Sequence, residues 1–406
     1  MTPAIDSARL IQRLQALWAV GRDATGRLCR LAASDADKAG RDLLCHWLAQ
    51  AGLTVQVDRS GNIHDLWHPP AATGDPVVMG SHIDTVIDAG IHDGFYGVLA
   101  GLGVIEALQA AGLRPARPLA VVAFTNEEGV RFFPDMMGRL VAAGGLDFET
   151  ALATIGTDGA VLGAELARIG YAGTQAPGFL KPHAYLELHV EQGPVLEAEG
   201  ITIGAVENLQ GISWQRVTIE GMANHAGTTP MAMRRDAGVA AARVIAALDS
   251  LARRPDGAVS TVGTIRFTPD AINVIPSRAV LTVDLRHPDE GRLQALEAAL
   301  AAELDRLRGA GLTVRAEPLA RFQPVTFAPG IVAAIEQAAA RRQLSHRRMT
   351  SGAGHDAQMM ARIASSAMIF VPSRGGISHN PAEFTPEADL ITGANVLMDV
   401  AWRLCA

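Results

Sequence analysis

Cysteine is scarce in this chain: Cys29, Cys45 and Cys405 are the only three among 406 residues. None sits in a CxxC pair, so a disulfide framework is excluded and the expected compartment is a reducing cytoplasm. Positive charge is also thin, with 35 Lys+Arg against 42 Asp+Glu and a formal net charge of -7. A general affinity for nucleic acid needs a basic face, and none is expected. The small cluster Arg341, Arg342, Arg347 and Arg348 around His346 reads as a solvated surface. The opening residues, MTPAIDSARL, carry Asp6 and no basic region followed by an apolar run, which reads against a signal peptide. The most apolar long stretch, GVLAGLGVIEALQAAGL, is glycine-rich and interrupted by Glu106, and it falls short of a membrane span. Internal repeats and extended low-complexity linkers are missing as well. What remains is a chain that is 49% hydrophobic. It is long for one core and sized for two domains, or for one large domain with an insertion.

Helical apolar spacing runs over residues 8–20 and 36–51. PVVMG (76–80) reads as a buried strand that leads into SHIDT. A helix is expected over 96–111. LAVVAFTN (119–126), AYLELHV (184–190) and a segment near 367–373 are further buried strands, followed by EEG, EQG and a glycine-rich loop with SHNPAE. Apolar strands alternating with helices predict an α/β protein with a mainly parallel sheet. Four of these strands deliver polar residues at their ends, where open α/β sheets place ligand sites. The middle of the chain differs. SWQRVTIEG (213–221), AVSTVGTIRF (258–267), RAVLTVDLRH (278–287) and LTVRAEP (312–318) alternate partially, with helices between them near 234–252 and 288–306. Strand, helix, two strands, helix, strand is an α+β sandwich pattern. The expected organisation is a catalytic domain from 1–210 and 326–406, interrupted by a satellite domain at 211–325.

The strand ends carry a recurring chemistry. His82 and Asp84 in GSHIDT stand two apart, and in extended chain such residues point the same way. The carboxylate would then take the second ring proton of a metal-binding His82. Asp93 in GIHDG lies between glycines that allow a tight turn back to the site, and its two oxygens could serve two ions. His92, as the adjacent residue, points elsewhere and is left out. The adjacent Glu127 and Glu128 in TNEEG would be costly to bury without cations. One can bind metal while the other takes a proton from water, and spacing leaves the order open. His189 ends an apolar strand, and His379 lies in the last loop. Three imidazoles and two carboxylates suit two divalent ions with open positions, which can polarise a carbonyl and generate hydroxide at neutral pH.

At these residues the chain resembles the M20 metallopeptidase superfamily, and more closely its hydantoinase/carbamoylase-type amidases. The resemblance covers essentially the whole chain through GSHIDTV, DGFYGVLAGL, FTNEEGVRF, LELHVEQGPVLE, HAGTTPM, NVIP, SGAGHDA and FVPSRGGISHNPAE. It implies His82, Asp93, Glu128, His189 and His379 as ligands, with Asp93 bridging; mixed imidazole and carboxylate ligands suit zinc, manganese, cobalt or nickel. It implies Glu127 as general base and Asp84 as the carboxylate behind His82. Gln192, Asn273 and Arg286 would bind substrate, the last two through its carboxylate. Gly375 and Gly376 would line the same pocket through their backbone. His225 would stabilise an oxyanion, reaching across to the other subunit of a homodimer built on the satellite lid. The implied activity is hydrolysis of N-carbamoyl-L-amino acids, with allantoate amidohydrolase and β-ureidopropionase as alternatives. One departure stands out: the family pattern has a Gly-Ser pair where this chain has Gly138-Arg139. That segment is expected near the pocket mouth. His355 and Asp356 of SGAGHDA are expected to support the last loop.

Overall fold

The computed structural model describes residues 3–254 and 257–406. By contact density the chain forms two compact units, Met1–Glu207 with Thr326–Ala406, and Asn208–Val325. The strands are, in chain order, β1 (Thr54–Val57), β2 (Ile63–Trp67), β3 (Val77–His82), β4 (Leu119–Phe124), β5 (Ala184–Val190), β6 (Ile203–Leu209), β7 (Gly211–Glu220), β8 (Val259–Thr268), β9 (Arg278–His287), β10 (Thr313–Phe322), β11 (Val325–Thr326), β12 (His346–Ser351) and β13 (Ser365–Val371).

The larger unit is an α/β layer structure around a mixed sheet ordered β1-β2-β4-β3-β5-β13-β6-β11, with β12 paired to β6. Its centre, β4-β3-β5-β13, is parallel throughout. These are the four apolar strands visible in the sequence, and every residue of β3, β4 and β5 is buried. Continuous apolar runs are what a parallel strand covered on both faces requires. The antiparallel flanks β1, β2 and β6 are shorter or more polar, and the sequence reading did not include them. From β3 the chain moves one way to β4 and later returns to the other side of β3 as β5. The order therefore reverses at β3, and in open α/β sheets the ligand crevice lies at such a point, outside the carboxyl ends of the strands.

The helix Phe95–Ala110 packs on this centre and is buried over most of its circumference, which explains why its sequence shows little amphipathic contrast. A Cβ at Gly97 would stand 2.5 Å from the Leu188 carbonyl oxygen, and one at Gly101 would stand 3.0 Å from the Met79 Cβ. The two glycines, four apart on one helix face, let the helix lie directly on β3 and β5.

The smaller unit is the α+β sandwich expected from the middle of the chain. Its antiparallel sheet runs β10-β7-β9-β8. The helices Ala237–Ala252 and Glu290–Gly309 cover one face. Between them Val217, Ile219, Leu281, Val283, Val244 and Leu300 are among the residues of one apolar core. β9 alternates strictly between buried and part-exposed positions, as a strand with a single packed face must. The arginines around His346 do not form a free basic patch. Arg342 pairs with Asp399 at 2.7 Å, Arg348 with Glu336 at 2.8 Å, and Arg347 with Glu199. No helix among the described residues is long and apolar enough to cross a membrane.

Candidate metal centre

His82 is the last residue of β3 and only 2% exposed. Its Nδ1 lies 3.0 Å from the main-chain carbonyl oxygen of Asp84. The Asp84 carboxylate is 4.0 Å from the same nitrogen, so the expected carboxylate–imidazole pair is replaced by a carbonyl–imidazole pair. The reason is local: the strand ends at His82, and the alternation that would have aligned positions 82 and 84 ends with it. Asp84 instead accepts the backbone N–H groups of Glu127 at 3.2 Å and Glu128 at 3.3 Å. It thereby holds the turn that presents both glutamates after β4. Burial, then the neighbouring Asp37, pushes its pKa up to about 7.

Asp93 reaches the centre from the loop between β3 and the helix Phe95–Ala110. Gly94 makes this possible. It adopts φ +73°, and a Cβ there would stand 2.4 Å from the His82 ring, so only glycine fits both the conformation and the space. Asp93 Oδ1 faces His189 Nε2 at 3.3 Å and His82 Nε2 at 3.7 Å. Asp93 Oδ2 faces His379 Nε2 at 3.2 Å. His379 Nε2 also lies 3.5 Å from Glu128 Oε2, while Glu127 Oε2 lies 3.5 Å from His82 Nε2. Two candidate ion positions result, one among His82, Asp93 and His189 and one among Asp93, Glu128 and His379. The two glutamates whose order the spacing left open thus fall on opposite sides of Asp93.

These donors fit divalent ions. The Nδ1 atoms of His82 and His189 are committed to the carbonyls of Asp84 and Val190, at 3.0 and 2.9 Å. Each Nε2 is thereby turned toward a carboxylate oxygen, and a positive charge, either a proton or a cation, must sit between them. Two atoms that each stand about 2.1 Å from a tetrahedral ion are about 3.4 Å apart, within the span of the contacts above. The ion-free electrostatics show the same demand. Burial opposes ionisation of Asp93, but hydrogen bonds from His189 and His379 outweigh it and hold the carboxyl well below its usual range. Burial lowers His189, but Asp93 and Glu187 outweigh it and raise the ring to about 9. Burial drives His82 down to about 4 against the pull of Asp93. Glu127 is pushed well up by burial, then by Asp356 and Glu128, and Glu128 is pushed well up by burial, then by Asp93 and Asp84. So many carboxylates ionise together only beside cations.

Gln192, held at φ +57°, donates through Nε2 to Asp93 Oδ2 and to Ser378 Oγ, each at 3.1 Å. It therefore borders the second ion position. Gly375 and Gly376 belong to the loop that carries His379, but their N–H groups are already used. Gly375 donates to Glu197 Oε2 at 2.6 Å and Gly376 to the Ser373 carbonyl at 3.0 Å.

The remaining expected residues lie on the smaller unit. His225 and Val274 form an isolated bridge, and Ala226 N–H donates to the Asn273 carbonyl at 2.9 Å. The loops bearing His225 and Asn273 are thus laced together, with both residues exposed. His225 Nδ1 accepts the N–H groups of Gly227 and Thr228 at 3.0 and 3.2 Å. With Nδ1 accepting, Nε2 is the ring nitrogen left to donate. Arg286 is bound by Asp284, with Nη2–Oδ2 at 2.8 Å and Nε 3.1 Å from both oxygens.

The Arg139 expectation is corrected. Its side chain is 3% exposed and stacks with its guanidinium carbon 3.8 Å from the centre of the Phe124 ring. The segment 136–138 is bound by backbone hydrogen bonds to Glu127, Asn126 and Thr125, and Arg139 is buried behind that turn in place of lining an open mouth. Burial lowers its pKa to about 10, against the charges of Tyr185, Asp356 and Glu187.

Behind the ligands, His355 was expected as a supporting group, whereas the roles of Glu187 and Arg30 were missed. Glu187, fully buried, accepts from Ser81 Oγ at 2.7 Å, Tyr185 OH at 3.2 Å and Ala357 N at 2.7 Å. It stands with His189 and His355 in a third cluster of ligand-type side chains, but its oxygens are already occupied, so the cluster braces the site. His355 packs edge-on against the His189 ring, with centroids 4.5 Å apart. Arg30, wholly buried, donates from Nε to the Ile83 carbonyl at 2.6 Å and holds the chain just beyond His82. The signal available for both was a charged residue inside an otherwise apolar or tightly turning segment.

The family model described as Peptidase family M20/M25/M40 matches residues 78–403. The chain is 39% identical to the N-carbamoyl-L-amino-acid amidohydrolase of Rhizobium meliloti over 399 residues, covering 97% of this chain and 95% of that one. It is 34% identical to the ureidoglycolate hydrolase of Arabidopsis thaliana, covering 97% and 86% respectively. The crystal structure of an amidase of the hydantoinase/carbamoylase family from Burkholderia multivorans superposes with a TM-score of 0.95 at 42% identity, covering 99% of this chain and 98% of that one. With the sequence, the fold and the paired ion positions in agreement, this chain belongs to the M20/M25/M40 peptidase family, as a hydrolase of its hydantoinase/carbamoylase amidase branch.

Proposed function

We propose that this chain hydrolyses the carbamoyl C–N bond of N-carbamoyl-L-amino acids, giving the free amino acid, carbon dioxide and ammonia. The observation that carries the reading is Asp93, with one oxygen facing His82 and His189 and the other facing His379, and Glu127 standing beside His82 at 3.5 Å. The nature of the substrate is supported by the Rhizobium meliloti relative.

In this reading His82, Asp93 and His189 would hold one ion and Asp93, Glu128 and His379 the other, and the donor set suits zinc, manganese, cobalt or nickel. When bound, such ions lower the pKa of water and polarise a carbonyl. Glu127, the carboxylate outside both ligand sets, takes a proton from the attacking water. It then returns that proton to the leaving amine nitrogen as the C–N bond breaks. Carbamate departs and decomposes to carbon dioxide and ammonia. Asp84 holds the turn that presents Glu127. Gln192 contacts the substrate beside Asp93, and the loop of Gly375 and Gly376 shapes the pocket. On the smaller unit, His225 offers its Nε2–H to the developing oxyanion. Asn273 and Arg286 anchor the substrate carboxylate, for which the guanidinium fork is suited. The working state is a homodimer in the cytoplasm, with His225 serving the site of the partner subunit.

The test is ammonia release by metal-reconstituted protein on N-carbamoyl-L- and D-amino acids, N-carbamoyl-β-alanine, allantoate and ureidoglycolate. The fastest turnover is expected on an N-carbamoyl-L-amino acid. Faster turnover of ureidoglycolate, the substrate named for the Arabidopsis relative, or of allantoate or N-carbamoyl-β-alanine, would replace the substrate class while leaving the hydrolytic centre in place.

A further inference from the structure

Glu383 closes the segment SHNPAE, four residues beyond His379, and is 3% exposed. Its two oxygens are used separately. Oε1 accepts the backbone N–H of His92 at 2.9 Å, a contact spanning 291 residues of sequence. Oε2 accepts the Ser378 hydroxyl at 2.9 Å. Ser378 Oγ in turn accepts from Gln192 Nε2 at 3.1 Å, and the same amide donates to Asp93 Oδ2 at 3.1 Å. The contacts close into a ring through Glu383, His92, Asp93, Gln192 and Ser378.

That ring ties the loop bearing Asp93 to the loop bearing His379. The approach is tight enough that a Cβ at Gly90 would fall 2.4 Å from the Glu383 side chain. A buried carboxylate is expensive unless its oxygens are matched to donors, and here each oxygen is matched to a donor from a different loop.

We propose that Glu383 is a positioning residue that sets the spacing between Asp93 Oδ2 and His379, and through it the affinity of the ion held by Asp93, Glu128 and His379. It acts without contacting ion or substrate. The inference rests on the two-ion reading above. Outer partners of metal ligands typically account for about 10–100-fold in metal affinity. Here that effect should fall on one ion and spare the other, whose histidines are set by the Asp84 and Val190 carbonyls.

The experiment is calorimetric titration of metal-stripped full-length protein with Co2+. The visible absorption of bound cobalt is followed in parallel, for the wild type and for Glu383→Gln and Glu383→Ala. Glu383→Gln is nearly isosteric, keeps an acceptor for His92 and removes the acceptor for Ser378, so it decides the matter even if Glu383→Ala does not fold. Expected are two ions on the wild type. In the variants, the first affinity should be retained and the second weakened at least about tenfold. The lost kcat should recover at excess cobalt, with KM little changed. Variants that fold and bind both ions as the wild type does would overturn the role of Glu383 alone, as would equal weakening of both ions. A wild type that binds fewer than two ions would overturn the two-ion reading, and the inference with it.

Discussion

The two halves of the proposed site are built differently. Of the ion-facing residues, His82, Asp93, Glu127 and His189 are all less than 9% exposed, whereas Glu128 is part-buried and His379 is exposed on its loop; all hang from strand ends and loops of the larger unit. The residues proposed to face substrate on the smaller unit differ: His225 and Asn273 are exposed, and Arg286 is part-exposed. Their observed partners lie on the smaller unit: Gly227 and Thr228 for His225, and Asp284 for Arg286. The ion half is preorganised on one body, buried at His82, Asp93, Glu127 and His189 and open at His379. The substrate half is a set of groups held ready on a separate body. Loss of an ion-facing group should therefore remove chemistry altogether, whereas loss of a substrate-facing group should weaken binding and leave the centre loaded.

The largest effect is expected at Asp93. Asp93→Ala removes the carboxylate shared by both ion positions. Metal analysis after gel filtration should find both ions lost, with ammonia release at background. Retention of both ions would break the contrast by showing that the fold holds them without their common ligand.

Next is Arg286→Met. Loss of a charge-assisted contact to the substrate carboxylate should lower kcat/KM by about 10–100-fold, mostly through KM, with metal content unchanged. A variant that loses metal would show that the two halves are coupled. An unchanged KM would assign Arg286 a structural role, such as its pair with Asp284, in place of substrate binding.

A smaller effect sharpens the contrast from inside the larger unit. Asp65 on β2 is 1% exposed, and neither of its carboxylate oxygens has a hydrogen-bond partner. Burial pushes its pKa up to about 7. The folded state thus binds its proton more tightly than the unfolded chain. Stability from this group is full below about pH 4 and is lost as pH rises through about 7. Asp65→Asn should raise Tm at pH 8 and leave it nearly unchanged at pH 4. Equal shifts at both pH values would mean that the carboxylate is not penalised there. At the candidate centre, by contrast, Asp93 and Asp84 have donors beside them.

The sequence was most informative where polar residues interrupt apolar strands. His82, Glu127, Glu128 and His189 stood out because each ends or follows a run that is otherwise buried, and the parallel centre of the sheet was legible for the same reason. Three features were not legible. The Asp84 carboxylate turned away from His82 because the strand ends at His82, before the alternation that would have aligned the two residues. Arg139 is buried behind the turn after β4, to which the segment before it is bound by backbone hydrogen bonds, a pairing with no local signature. Glu187 and Glu383 act on residues far away in sequence, through contacts that only the fold creates.

The central claim is that Glu127 moves the proton while the other five residues hold two ions. Its most direct test is Glu127→Gln, with metal content and ammonia release from an N-carbamoyl-L-amino acid measured on the same preparation. The expected result is two ions per chain, as in the wild type, and turnover reduced by about 10²–10⁴-fold, the usual worth of a general base. Turnover at the wild-type rate with both ions bound would contradict it.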